Sequence, residues 1–297
     1  MKCRICKSDL KSKKINNCQD YEYKYPGSFY FHICRTCSTC TLNPFQSDSK
    51  LSSYYPDDYH SYNTESNFIL KVLYRITYFL RFRKYYSLLK PNKNRILDIG
   101  CADGKYFDYL NKNINITGIE FNDQISQEGR IKGRNIFTGT LKDLPKGEKY
   151  DLVIMNNLIE HVNDPITLLQ EALSFLEPEG CIFIETPNFR CLDFKIWGSY
   201  WGGLHTPRHT FIFSEESFHY LKSKLNIKIT QVNYILNTGH WALSIQNYIE
   251  SLDMKNSNLY FGRSWYYKYL LLILIPVNFL QKLVHRTGSM EITIQKS

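Results

Sequence analysis

The stretch "NRILDIGCADGKYFDYL", Asn94 to Leu110, decides how this chain folds. Ile96-Leu97-Asp98-Ile99 is a short apolar run that reads as a buried parallel strand. Gly100-Cys101-Ala102-Asp103-Gly104 reads as a tight turn, and Lys105 to Asn111 as the start of a helix. A strand, a glycine turn and a helix in that order arrange backbone N–H groups around a ligand, and the glycines let the chain come close to it. A second strand, "INITGIE", ends at Glu120. That is about twenty residues past the turn, where a carboxylate accepts hydrogen bonds from both hydroxyls of a ribose.

The pattern continues downstream. "YDLVIMNN", Tyr150 to Asn157, reads as a strand, and Asp164-Pro165 opens the helix "ITLLQEALSFL". Pro178-Glu179-Gly180 breaks that helix, and "CIFIETPN" is the next strand. Strands alternating with helices imply a parallel sheet covered on both sides.

With 297 residues there is room for one large domain and a small one, or for two modest ones. Hydrophobic residues make up 43% and charged residues 22%, the balance of a globular chain with a core. The formal charge of +9 favours acidic partners: nucleic acid, phosphorylated substrates or an anionic membrane surface. "MKCRICKSDLKSKK" has no apolar run after Met1 and does not read as a signal peptide, so a cytoplasmic location is expected.

Six of the nine cysteines fall within the first forty residues. Cys3, Cys6, Cys34 and Cys37 form a CxxC…CxxC pattern that suits a tetrahedral zinc ion, and four thiolates would close its shell and make it structural. A segment this short buries too little core to fold alone, so a metal staple makes physical sense. The second pair has two registers, because Cys37-Ser-Thr-Cys40 is also CxxC; Cys18 is a further substitute ligand or a buried thiol.

Taken together, these segments resemble class I S-adenosylmethionine-dependent methyltransferases. "ILDIGCADG" is similar to their first motif, "GIE" to their second-strand acid, and "DLVIMNNLIEHVNDPITLLQEALSFLEPEGCIFIETPN" to their fourth- and fifth-strand block. The turn departs from the family at Ala102, where glycine is usual. The resemblance implies an α/β fold: a Rossmann-like seven-stranded sheet with helices on both faces, carrying a small N-terminal zinc-binding module. "NIKITQVNY" would be its sixth strand and "SMEITIQK" the seventh, antiparallel one. The expected division is 1–45 for the zinc module, 46–91 for a tyrosine-rich connector and basic amphipathic helix, and 92–297 for the methyltransferase domain.

By the same resemblance the cofactor is S-adenosylmethionine. Asp98 would lie near its amino group, Gly100, Ala102 and Gly104 would shape the turn, and Glu120 would hold the ribose. Phe121 would pack beside the adenine, with Thr140 and Leu141 in the same region, and Asn156 would line the cofactor at the end of the fourth strand.

Methyl transfer to a hydroxyl needs a positioned base or a metal. His161, in "IEHV", is the first base candidate, with a turn-ordering role as its alternative. His205 and His209, in "WGGLHTPRHTFIFS", are the others. Pro207 between them argues against a helical HxxxH metal pair. Arg208 is expected to hold a phosphate or carboxylate of the substrate, the alternative being a loop whose histidines bond backbone carbonyls. Ser214 reads as a helix N-cap before Glu215 and Glu216. The cysteine-rich start, "CTLNPF", "YYPDDYHSY" and "HTPRHTFIFS" together resemble bacterial methyltransferases of surface-polysaccharide synthesis, which implies a sugar or lipid-linked glycan acceptor.

Two apolar segments bear on location. Asn67 to Lys90 has helical periodicity with interspersed Lys and Arg, and reads as a helix packed on the next domain, with a membrane-surface helix as the alternative. "YLLLILIPVNFLQKLV", Tyr269 to Val284, is short for a membrane span and interrupted by Pro276; it reads as a buried helix, with a peripheral contact at the inner membrane as the alternative. An RNA methyltransferase and a non-catalytic binding protein of the same fold are the competing functions. No basic and aromatic nucleic-acid module stands out beyond 67–90, which disfavours nucleic acid as partner.

Overall fold

The computed structural model of the chain describes residues 2–10, 13–55, 68–252 and 264–297. The tyrosine-rich connector expected from Tyr54 lies mostly outside them, as do the side chains of residues 68–77. In chain order the strands and helices begin with β1 (Lys13–Cys18), β2 (Phe29–Ile33), β3 (Cys40–Asn43), α1 (Asp48–Ser52), α2 (Phe68–Leu88), β4 (Arg95–Ile99) and β5 (Asn115–Glu120). There follow α3 (Asp123–Ile131), β6 (Ile136–Thr138), β7 (Tyr150–Asn156), α4 (Pro165–Ser174), β8 (Leu176–Pro187), α5 (Leu192–Trp197) and β9 (Phe211–Ile212). The chain ends with α6 (Glu215–Leu225), β10 (Ile227–Ile235), α7 (Thr238–Leu252), α8 (Tyr267–Ile273), α9 (Ile275–Leu283) and β11 (Ser289–Lys296).

The main sheet has seven strands in the order β10-β11-β8-β7-β4-β5-β6. β4 to β8 run parallel, and β11 inserts antiparallel between β8 and β10. Alternate residues of each strand feed opposite faces, as the period of two requires. Leu97, Ile99, Val153, Met155, Ile182 and Ile184 join a core with Leu169 of α4 and Phe218 of α6. Their neighbours Ile96, Leu152, Ile154, Cys181 and Phe183 join another with Phe82 and Tyr85 of α2. The seven-stranded α/β sheet with helices on both faces is therefore present as the sequence implies.

Local chemistry explains the helix starts. Asp164 accepts from Thr167 N–H ahead of Pro165, and Ser214 forms a capping box with Ser217. After Gly104 the chain makes only a 3-10 turn, Lys105–Tyr109, with no side-chain cap. The break expected at Pro178–Gly180 lies inside β8: pairing with β7 jumps from Leu176 to Cys181, so the turn is absorbed as a bulge.

The N-terminal residues form a second sheet, β1-β2-β3-β9. Its fourth strand comes from "HTPRHTFIFS": Cys40 pairs with Ile212 and Thr41 with Phe211. The N-terminal segment is thus stitched into the loop that follows β8.

One expectation is overturned here. Tyr269 to Val284 is not buried. It forms α8 and α9, whose Leu272, Ile273, Leu280 and Leu283 are exposed, because the polar Asn278 and Gln281 take the inward positions. No helix among the described residues is long and apolar enough to cross a membrane.

Candidate active site

The C-terminal ends of β4, β5 and β7 open onto one cavity of about 500 Å³, where an open parallel sheet binds its ligand. Gly100, Ala102, Glu120, Phe121, Asn156 and Leu158 line one part of it. His161, His205 and His209 line another.

The first part is a built cradle. Gly100 has φ +75°, and a Cβ there would stand 2.8 Å from Leu158 Cδ1. Ala102 is also left-handed, at φ 50°, so the turn the family makes with glycine is kept at a cost of about 1–2 kcal/mol. Glu120 accepts from the Ala102 N–H and the Asn122 N–H, each at 3.0 Å. Those bonds fix its carboxylate, and each oxygen keeps a lone pair for a diol. Burial raises its pKa. Phe121, half exposed beside it, offers an apolar face. Asn156 is hydrogen-bonded to the Tyr85 hydroxyl of α2 at 2.8 Å. A nucleoside with a free ribose diol fits this set.

Other residues expected to serve the cofactor are not part of the cavity lining. Asp98 is buried below the cavity and accepts from the Tyr106 hydroxyl; burial pushes its pKa up to about 7. Gly104 closes the turn at φ +64°. Thr140 and Leu141 do not line the cavity: Leu141 is core, and Thr140 caps a short turn with Asp143.

The three histidines expected from separate segments meet. Their ring centroids are 4.6 Å apart for His161 and His209, 4.9 Å for His205 and His209, and 6.0 Å for His161 and His205. His209 Nδ1 lies 3.0 Å from the Gly203 carbonyl, which can only accept, so Nδ1 carries the proton and Nε2 the lone pair. His161 Nδ1 lies 2.8 Å from the Tyr55 hydroxyl and 3.2 Å from the Arg208 carbonyl. Burial pushes the pKa of His161 down to about 4 and holds that of His209 low as well. Both rings are therefore neutral near pH 7.

His205 is engaged differently. Its Nδ1 lies 2.7 Å from Glu22, and its Nε2 accepts from Arg208 Nε at 3.1 Å. The residue is left-handed at φ 40°, a conformation that a non-glycine residue holds only when its surroundings impose it.

Arg208 needs a correction. It was expected to meet the substrate, but its side chain is fully buried. Its guanidinium grips both oxygens of Asp20, at 3.0 and 2.8 Å, and lies 3.6 Å from Glu22. A bidentate buried pair of this kind is a structural clamp.

Glu160 was missed. Wholly buried next to His161, it accepts from Thr186 Oγ1 at 2.9 Å, while Oε1 has no hydrogen-bond partner among the described residues. Burial pushes its pKa up to about 8. Ligand atoms of Glu160, His161 and His209 lie within 4.8 Å of one another, a carboxylate and two imidazoles that can hold a divalent ion. The "EH" of "IEHV" was the available signal. Tyr55 and Arg81, which also line the cavity, carried none. Arg81 comes from α2 and pairs with Glu185 at 3.0 Å.

Cys3, Cys6, Cys34 and Cys37 form a second group able to hold an ion among the described residues, their sulfurs all within 4.8 Å. Cys3 and Cys37 Sγ stand 3.6 Å apart, and Cys6 and Cys34 3.4 Å. Sulfurs about 2.3 Å from a tetrahedral centre stand about 3.8 Å from each other, so the donor set fits. The register question is answered: Cys40 and Cys18 belong to a separate apolar core.

The model of the methyltransferase domain matches residues 73–232, more than half of the chain. The chain belongs to that family. Among curated proteins it is similar to the mitochondrial ubiquinone biosynthesis O-methyltransferase of Candida albicans, 27% identical over 37% of this chain. It is also similar to the ubiquinone biosynthesis O-methyltransferase of Actinobacillus pleuropneumoniae, 28% identical over 32% of this chain. The matches span 37% and 46% of those proteins, less than half of either. A crystal structure of a SAM-dependent methyltransferase from Archaeoglobus fulgidus superposes with TM-score 0.49 at 20% identity, covering 75% of this chain and 94% of that one.

Proposed function

We propose that the protein transfers a methyl group from S-adenosylmethionine to a hydroxyl of a sugar or lipid-linked glycan. The observation that carries the reading is the cavity itself, which joins the Glu120 cradle to the Glu160–His161–His209 cluster. Bound S-adenosylmethionine supplies an activated methyl on a sulfonium, so the protein has to orient the acceptor, exclude water and take up its proton. Glu120 and the Gly100–Gly104 turn hold the nucleoside. His161 or His209, neutral and with a free ring nitrogen, takes the proton from the acceptor hydroxyl. The two curated relatives described above are both named O-methyltransferases, which supports oxygen as the acceptor atom. The glycan rests on the resemblance in sequence to methyltransferases of surface-polysaccharide synthesis.

The cysteine cluster is read as a structural zinc site, with all four positions of the ion taken by thiolates. Methyl transfer from labelled cofactor to a panel of nucleotide-linked and lipid-linked sugars tests the acceptor, with His161→Ala and His209→Ala alongside. Full turnover in both variants would overturn the base assignment. Calorimetry with S-adenosylmethionine separates this reading from a non-catalytic protein, and methylation of RNA instead of sugars would replace it.

A further inference from the structure

Helix α9 is inside out. Its uncharged polar side chains are the buried ones: Asn278 accepts from Asn237 N–H at 2.7 Å, and Gln281 accepts from Trp241 Nε1 at 2.9 Å and donates to Asp193 at 3.2 Å. Its large apolar side chains point away from the protein. Leu280 is 64% exposed, Leu283 63%, and on α8 Leu272 and Ile273 are 64% and 69% exposed. The hydrogen bonds lock this orientation, because turning α9 over would strand three buried polar groups without partners. A water-facing helix shows the opposite pattern, so this face is built for apolar surroundings.

The charge around it says which. From Ser264 to Met290 the sequence has no Asp or Glu, while it carries Lys268, Lys282 and Arg286. Trp265, 77% exposed, packs against Tyr269 with ring centroids 6.4 Å apart, and such aromatics sit at a membrane–water boundary. A second copy of this face would bring further cations and no Asp or Glu from the same stretch to pair with them, which disfavours a contact between copies. We propose that α8 and α9 dock the protein on an anionic lipid surface, the apolar side chains entering the headgroup–acyl boundary and Lys268 and Lys282 meeting headgroup phosphates. The inference is read from this face alone and does not rest on the methyl-transfer reading. Its bearing on that reading is positional. Tyr267 of α8 and Gly239 and His240 of α7, the helix that binds α9, line the cavity.

Sedimentation of the full chain with vesicles tests it. We expect binding to vesicles of phosphatidylcholine with phosphatidylglycerol, and weaker binding to phosphatidylcholine alone or at raised salt. A Leu272→Asp/Leu280→Asp variant, altered only at exposed positions, should lose binding by about tenfold or more with unchanged melting and cofactor affinity. Lys268→Glu/Lys282→Glu should lose the preference for the anionic lipid. Absence of wild-type binding, or undiminished binding by the aspartate variant, overturns the proposal. So does a wild-type dimer that the aspartate variant abolishes, which would make the face a contact between copies.

Discussion

The Tyr55 hydroxyl lies 2.8 Å from Nδ1 of His161, across 106 residues of chain. It therefore fixes the ring of the foremost base candidate from an element outside the methyltransferase sheet. Removing it leaves the imidazole held by one carbonyl. A single hydrogen bond is worth about 1 kcal/mol, so Tyr55→Phe should lower kcat by roughly fivefold. Cofactor affinity by calorimetry should stay unchanged. A variant with wild-type kcat would show that the bond has no part in turnover.

Burial holds His161 neutral down to about pH 4. A base must be unprotonated, so its action is lost as pH falls through that value and not through the usual value of about 6.5. The kcat profile is expected to stay level from roughly pH 7 to 5 and to fall below that. An acid limb centred above 6 would exclude His161 as the group that limits it.

Arg208 and Asp20 form a buried charged pair joining the acceptor-side loop to the N-terminal segment. Cutting either partner removes the bidentate pair from a buried site and leaves the remaining charge poorly compensated, which costs about 3–5 kcal/mol. Arg208→Ala and Asp20→Asn should both lower the thermal midpoint by about 10 °C. A substrate-binding arginine would instead raise KM and leave melting untouched. Thermal denaturation followed by circular dichroism decides between them.

The four gathered thiols predict a metal content that depends on register. Cys37→Ser should reduce bound zinc, measured by atomic absorption on purified protein, by at least half. Cys40→Ser should leave it unchanged, because Cys40 packs with Phe31 and Leu42 and not with the cluster. Equal loss from both variants would refute the assignment.

Much of the fold was legible because it rests on local signals: apolar runs for β4, β7 and β8, the acid ending β5, and the caps at Asp164 and Ser214. The cradle was legible for the same reason, since turn and acid are near in sequence. Thr140 and Leu141 lie outside the cavity lining because Leu141 turns into the core and Thr140 closes a short turn with Asp143. Arg208 was misread because charge in a loop suggests solvent or substrate. Its partner lies 188 residues away, and no local pattern announces that. Tyr55 and Arg81 were hidden likewise. The orientation of α9 could not be read from hydropathy, which counts apolar residues without saying which side the hydrogen bonds will claim.

The pairing of β3 with β9 makes the N-terminal sheet and the histidine loop a single piece of architecture. A chimaera that exchanged only the cysteine-rich segment would present foreign partners to Ile212, His205 and Arg208 together. The practical unit for recombination, in the laboratory or in evolution, is the pair of segments. Acceptor preference should therefore travel with the amino terminus as well as with the loop that faces the cavity.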